Sequence, residues 1–405
     1  MQTHLADFIK NTPQGEEAEA ILRRCVHCGF CTAACPTYRL LGDERDGPRG
    51  RIYLIKQVLE GEAPTASTQI RLDRCLTCRS CETACPSGVA YGRLLDIGRQ
   101  VVEEKVGRPW LDKSFRLLLR TVLPYRRRFG AVLALARGLK PVLPSRLQAK
   151  LPAASPAGAW PPLRHARRVI LLQGCVQPAL APDINPATAR VLDRLGISAV
   201  VAPEAGCCGA LSQHLSAQDE ALDFARRNVD AWWPLLESGA EAVVVNASGC
   251  GAMVKEYGHL LRRDPAYADK AARVGALAKD IVEVLAAENL DGLAVEPRTV
   301  AFHSPCTLQH GQKLNGVTES VLRRLGFDLA PVADAHLCCG SAGTYSLLQP
   351  RLSQQLLEQK LAALEAGQPE CIATANIGCL THLQSGAARP VRHWIELLDS
   401  AWNQR

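Results

Sequence analysis

Cys25, Cys28, Cys31 and Cys35, the last followed by Pro36, recur as Cys75, Cys78, Cys81 and Cys85 before Pro86. The spacing C-x2-C-x2-C-x3-C-P therefore occurs twice within the first 86 residues. Nothing else in the chain constrains folding so tightly, because eight thiols at fixed intervals must converge on something. A [4Fe-4S] cube needs four thiolates arriving from different directions. Three cysteines spaced by two residues wrap one cube, while the fourth points away and serves the other. The pattern predicts one cluster on Cys25, Cys28, Cys31 and Cys85, and a second on Cys75, Cys78, Cys81 and Cys35. Structural zinc also uses C-x2-C pairs, but it gives no reason for a third evenly spaced cysteine or for the terminal Cys-Pro. A chain so built moves electrons.

Between the motifs lie 39 residues. Within them Gly50 to Glu60 places Ile52, Tyr53, Ile55 and Leu59 at helical spacing after a Pro-Arg-Gly start, so a helix is expected to space the clusters. At 405 residues the chain suits two or three domains. Its N-terminus, MQTHLADFIK, has no basic start leading into an apolar stretch, so its 17 cysteines read as cytosolic metal ligands rather than disulfides. No apolar run is long enough to span a bilayer.

The net charge of +7 is unevenly placed. Residues 105–150 hold twelve Lys or Arg against one acid, Asp112, so that segment carries +11 and the remainder about −4 by difference. Within it Arg116, Arg120, Arg126, Arg127 and Arg128 interleave with leucines, valines and phenylalanines. Such a stretch suits a membrane interface, an acidic partner subunit or a connector docked on its own protein. With few aromatic platforms and no recognised module, it does not read as a nucleic-acid surface. Pro141, Pro144, Pro152, Pro156, Pro161 and Pro162 then mark a linker.

From Arg168 onward the chain duplicates itself. Cys175 and Cys306 differ by 131 residues, as do Cys207-Cys208-Gly209 and Cys338-Cys339-Gly340; Cys250 and Cys379 differ by 129. Each unit reads strand, helix, strand, CCG turn, long helix, strand, cysteine turn, helix, which favours a largely parallel sheet. The cysteines then fall at strand ends, the edge where open α/β sheets hold ligands. Cys175, Cys207, Cys208 and Cys250 form one candidate metal site, and Cys306, Cys338, Cys339 and Cys379 a second, for iron-sulfur clusters or zinc. Cys371, in a β-rich run, reads as a small core hydrophobe. The expected fold is α+β overall. A helical two-cluster ferredoxin-like domain (1–105) leads through a basic amphipathic segment and linker (106–166) to two homologous α/β CCG repeats (167–290 and 291–405).

The double cysteine motif followed by two CCG repeats resembles the CCG superfamily, which includes heterodisulfide reductase, anaerobic glycerol-3-phosphate dehydrogenase and lactate-utilisation subunits. RCVHCGFCTAACPTY, GPRGRIYLIK, LDRCLTCRSCETACPSGV, LLQGCVQ, HSPCTLQHG, HLCCGSAGTYS and TANIGCLTHL resemble, more closely, the iron-sulfur subunit of bacterial glycolate oxidase. That resemblance implies a hetero-oligomer in which FAD-containing partner subunits oxidise glycolate to glyoxylate. This chain would relay single electrons toward membrane quinone from the cytoplasmic face of the inner membrane. The chain shows no Gly-rich dinucleotide fingerprint, so FAD is expected on the partners only. Related D-lactate or glycerol-3-phosphate dehydrogenases, a disulfide or thiol reductase working at a CCG cluster, and a zinc-stabilised scaffold are the alternatives. In heterodisulfide reductase-type repeats the last motif is C-x2-C; here Ala247 and Asn376 stand in place of its first cysteine. Four thiolates per repeat remain, and the noncubane cluster geometry of that family is not supported. His303, His336 and His382 lie near the second set.

Overall fold

The protein was analysed as a computed structural model, which describes residues 1–142 and 155–403. Pro144 and Pro152 of the expected linker lie outside the described residues. The chain forms two compact units. One comprises Met1–Leu117, Gln213–Ser216 and His336–Lys360; the other comprises Leu118–Ser212, Ala217–Ala335 and Leu361–Arg405.

Helices build the first unit. In α1 (Pro13–Arg24), Thr12 accepts from Gly15 N at 3.1 Å and Pro13 occupies the first turn, so both start signals act together. The expected spacer helix exists as α2 (Pro48–Leu59), and Ile52, Ile55 and Leu59 face inward. Tyr53 does not; it is exposed, one residue off the buried stripe. α3 (Ala66–Asp73) opens with a Thr65/Thr68 capping box. α4 (Tyr91–Val106) buries Leu94, Leu95, Ile97, Val101 and Val102. It packs on α2 closely enough that a Cβ at Gly98 would lie 2.6 Å from Ile55 Cγ1. These four helices enclose a core to which Cys25, Cys75 and Cys81 belong. The cysteine motifs sit in the short turns between them. α5 (Trp110–Val122) begins in this unit, and its last turn and α6 (Arg126–Gly138) belong to the second.

In the second unit, β1 (Arg167–Leu171), α7 (Ile184–Arg194) and β2 (Ile197–Val200) lead to the first CCG turn. After it come α8 (Gln218–Glu237), β3 (Val243–Val245), α9 (Ser248–Lys255), α10 (Ala268–Leu277), β4 (Ala278–Asp280) and α11 (Ile281–Ala287). The second repeat supplies β5 (Thr299–His303), α12 (Val317–Arg324), β6 (Asp328–Leu329), β7 (Cys371–Thr374), α13 (Ile377–Gln384), β8 (Val391–His393) and α14 (Trp394–Asn403). The two sheets are all parallel and share one topology, β2-β1-β3-β4 and β6-β5-β7-β8. Their central strands pair Ile170 with Val243 and Val300 with Cys371. The α/β repeats are thus as expected. The fourth strand of each sheet, three residues long, carries no periodic signal of its own and precedes the closing amphipathic helix.

The repeats pack reciprocally: α7 of the first against α14 of the second, and α12 of the second against α11 of the first. Arg190 Nη2 lies 2.7 Å from Asp399 Oδ2, and Trp402 Nε1 donates to Leu293 O at 2.7 Å. At the centre, Ser248 N donates to Ala375 O, and buried His393 meets Asn246 O through Nε2 at 2.9 Å.

Candidate metal centres

Both N-terminal motifs use the same backbone device. His27 and Gly29 in the first, and Thr77 and Arg79 in the second, have left-handed φ of 58°, 87°, 51° and 58°. Left-handed residues between the cysteines curl the loop so that successive thiols face one centre. Each non-glycine there costs about 1 kcal/mol or more, which the surrounding structure must offset.

Cys25, Cys28, Cys31 and Cys85 line one hollow of about 430 Å³, with Pro48 and Arg49 also on its wall. Cys28 is exposed, and its flanks Val26 and Phe30 are 69% and 65% exposed. Burial pushes the Cys31 thiol up to about 11, with Cys25 and Cys85 adding like-charge repulsion. Cys35, Cys75 and Cys78 line a second hollow of about 300 Å³ together with Cys81, which borders both. All four thiols of this second set are buried. Burial raises Cys81 well above an ordinary thiol, reinforced by Cys78, Cys75 and Cys35. The fourth cysteine of each motif thus stands with the other motif's three.

Two donors converge on Cys75 of the second set, Tyr91 Oη at 3.6 Å and Thr77 N at 3.4 Å from its Sγ, while Thr37 Oγ1 lies 3.3 Å from Cys35 Sγ. Arg51, only 1% exposed, lines the same hollow. Sequence reasoning assigned no role to Arg51 or Tyr91. The available signal was an arginine on the inward face of α2, in register with Ile52, Ile55 and Leu59.

In the first repeat, Cys175 follows β1, Cys207-Cys208 follows β2 and Cys250 sits in the first turn of α9 after β3. Their thiols influence one another electrostatically, 175 with 207 and 207 with 208 and 250 with 208. Cys207 takes hydrogen bonds from both sides, which holds its thiol well below the ordinary value; the donors Cys175 and Cys208 are pushed up, with burial adding to the rise. Asn228, fully buried on α8, fixes the turn: its Oδ1 accepts from Gly206 N at 2.8 Å and its Nδ2 donates to Cys207 O at 2.9 Å. Tyr257 Oη donates to Cys208 O at 2.9 Å. Gly209 is required, since φ is 90° and a Cβ would meet Ala221 O at 2.9 Å. Arg227 adds positive charge near Cys207.

In the second repeat, Cys306 lies just after β5 and Cys379 in the first turn of α13, both buried and both in the second compact unit. His303 ends β5 and is buried; His382 lies on α13. The Cys338-Cys339-Gly340 turn and His336 belong to the first unit, where Gly340 repeats the geometry of Gly209 with φ 91°. Cys371 is buried in β7, as a small hydrophobe would be. Asn376 has structural work instead of ligation. Its Oδ1 caps α13 by accepting from Gly378 N at 2.8 Å, and its Nδ2 donates to Ser248 Oγ at 3.1 Å. Ala247 is the corresponding residue before α9, and is buried.

The five arginines do not form one basic face. Arg116 is paired with Asp112 and Asp73, and Arg120 with Glu220 at 2.5 Å, so both turn into the protein. Arg126 donates to Gln173 Oε1 and Arg128 lies over the Tyr125 ring. The outward face of α5 is apolar: Trp110, Leu111, Phe115, Leu117 and Leu118 are exposed. No helix among the described residues is long and apolar enough to cross a membrane.

Comparison with known proteins agrees with this architecture. Residues 21–89 match the 4Fe-4S dicluster domain, and residues 169–255 and 300–384 each match the cysteine-rich domain. The glycolate oxidase iron-sulfur subunit of Escherichia coli K12 is 59% identical over 99% of both chains. The probable glycolate oxidase iron-sulfur subunit of Bacillus subtilis is 31% identical, covering 94% of this chain and 92% of that one. Lactate utilization protein A of Geobacillus kaustophilus is 31% identical over 58% of this chain and 99% of its own. A hypothetical protein from Helicobacter pylori shares the fold, with a TM-score of 0.57 at 10% identity, over 98% of this chain and 75% of that one.

Fold, thiol sets and domain matches together define an iron-sulfur protein in which a dicluster domain is joined to a duplicated cysteine-rich domain. Identity along the whole length narrows the class: the chain belongs to the family of glycolate oxidase iron-sulfur subunits.

Proposed function

We propose that the chain is the electron-transfer subunit of a glycolate-oxidising complex. FAD-containing partner subunits convert glycolate to glyoxylate, and this chain carries the electrons singly toward membrane quinone. The observation that carries the reading is the crossed pair of thiol-lined hollows, one with an exposed thiol at Cys28 and one whose four thiols are all buried. Cys25, Cys28, Cys31 and Cys85 would hold one cluster, with Val26 and Phe30 exposed beside it for a partner to meet. Cys75, Cys78, Cys81 and Cys35, all buried, would hold the second. When bound, [4Fe-4S] clusters supply one-electron acceptance at potentials set by their surroundings.

The first cysteine-rich repeat offers four thiols, Cys175, Cys207, Cys208 and Cys250, enough for a tetrahedral zinc ion or a further cluster. Without a fifth cysteine, and with Asn376 committed to capping, the repeats are poorly equipped for disulfide cleavage. The apolar outer face of α5, beside exposed Lys113, fits peripheral attachment to the cytoplasmic face of the inner membrane.

Anaerobic purification with iron, sulfide and zinc counts and low-temperature EPR tests the reading. About eight irons per chain are expected; a count well under eight would refute it. Cys28→Ser should deplete one cluster and stop quinone-linked turnover while flavin reduction by glycolate continues, and unchanged turnover would refute the relay. Trp110→Ser with Phe115→Ser should reduce sedimentation with anionic vesicles at least tenfold, since each buried ring contributes about 2 kcal/mol. Undiminished sedimentation would refute attachment through α5.

A further inference from the structure

Arg51 is a deeply buried cation lining the second hollow, and the carboxylate beside it, Asp46, is not its alone. Nε donates to Arg71 O at 2.8 Å and Nη1 to Thr37 Oγ1 at 3.1 Å. Nη2 has no hydrogen-bond partner and lies 3.6 Å from Asp46 Oδ1. Asp46, fully buried, is shared among three guanidiniums, because Arg71 and Arg74 also pair with it. Asp43 also pairs with Arg71, so Arg51, Arg71 and Arg74 face two carboxylates and keep a net positive charge, and of the three Arg51 lines the hollow, as does Arg79. Burial opposes the guanidinium charge, yet Tyr91, Cys75, Cys35 and Asp46 hold it above even the ordinary arginine value.

The path from Arg51 to the ligands is short. The Thr37 hydroxyl, fixed by Arg51 Nη1 and donating to Asp46 O at 2.8 Å, lies against Cys35 Sγ. The cations near the first thiol set are less enclosed: Arg49 is half-exposed and bonded to Glu44 at 2.6 Å, and the partly buried Met1 ammonium donates to Cys25 O at 2.9 Å.

A buried tetrathiolate cluster gains negative charge on reduction with little water to stabilise it, so burial alone makes it hard to reduce. We propose that Arg51 is the counter-charge that keeps the buried cluster reducible by an electron arriving at the exposed one. This rests on the reading of Cys35, Cys75, Cys78 and Cys81 as cluster ligands. Arg51 acts through the surroundings of those ligands, so it is a positioning and tuning residue and bonds to no iron.

Redox titration of the full chain followed by EPR tests the idea with three variants. Arg51→Gln should shift the buried cluster alone, its reduced-to-oxidised ratio at the wild-type midpoint falling at least tenfold, which is 59 mV for one electron. Arg51→Lys, which keeps the charge, should stay within threefold of wild type. Asp46→Asn, which removes the opposing charge, should move the ratio upward. A purely structural role would move all three in one direction, and that result would overturn the proposal. So would an unchanged midpoint in iron-replete Arg51→Gln or, if that variant does not load iron, an unchanged or lowered midpoint in Asp46→Asn. A wild-type chain holding well under eight irons would overturn the ligand reading itself, and this proposal with it; full iron with an unmoved midpoint overturns this proposal alone.

Discussion

Gly50→Ala is the most economical way to disturb the buried cluster without touching a ligand or a charge. Gly50 is the third residue of α2, and a Cβ there would lie 2.1 Å from Glu44 O, 2.6 Å from Glu44 C and 3.0 Å from Arg45 Cα. All three are backbone atoms, and their turn is held by Asp46 N to Asp43 O and Gly47 N to Glu44 O, both at 2.9 Å. No side chain can rotate aside, so α2 must retreat by about 1 Å to reach ordinary contact. Arg51 moves with it, carrying its bonds to Arg71 O and Thr37 Oγ1, at 2.8 and 3.1 Å, beyond hydrogen-bond range. Overpacking costs about 1–3 kcal/mol and the charged hydrogen bonds about 1.5–3 more, against about 1 kcal/mol returned by the helix propensity of alanine. The net is roughly 3 kcal/mol, on the order of a hundredfold in the folding equilibrium. Anaerobic thermal unfolding combined with iron analysis reads both consequences: a lowered midpoint, and selective loss of the buried cluster's EPR signal. An unchanged midpoint with a full complement of iron would refute this account of how α2 is seated.

Gly130→Ala is the contrasting case: no atom lies within 4 Å of a Cβ at this interior position of α6, so the change should stabilise by about 0.5–1 kcal/mol, and a lowered unfolding midpoint would contradict it. Asn376→Ala removes the cap of α13 and should cost about 1 kcal/mol in denaturant unfolding. His393 is held down to about 4 by burial, so it is neutral when folded and takes up a proton near 6.5 when unfolded. Its share of stability is therefore complete above pH 6.5 and is lost as pH falls toward 4, by about 3 kcal/mol. Asp280 and Glu396, pushed up to about 7 by burial, slope the opposite way, so the diagnostic is the difference between wild type and His393→Gln across that window. Parallel pH profiles would refute the assignment.

The parts of this protein that were legible in its sequence are those where chemistry dictates spacing. Iron-sulfur ligation needs thiols at fixed intervals, so the eight Cys-Pro-motif cysteines could be sorted into crossed sets before any backbone was seen. Duplication likewise showed as a constant offset between CCG turns, whose glycines are held at φ near 90°. What was not legible depends on residues meeting across the fold. Charge count alone marked Arg116 and Arg120 as surface cations, because their carboxylates, Asp73 and Glu220, lie far away in sequence. Asn228 looked like any polar helical residue until the CCG turn folded over it. The strands closing each sheet were too short to show a period. Arg51 is intermediate. Its inward position on an amphipathic helix was visible, and a charge on an apolar stripe is a local conflict that natural sequences retain where function requires it. The thiol spacing explains where iron can bind, but a buried cluster surrounded only by apolar groups would be difficult to reduce. The arginine on the buried stripe of α2 is thus a local conflict in the sequence that the proposed tuning role would explain.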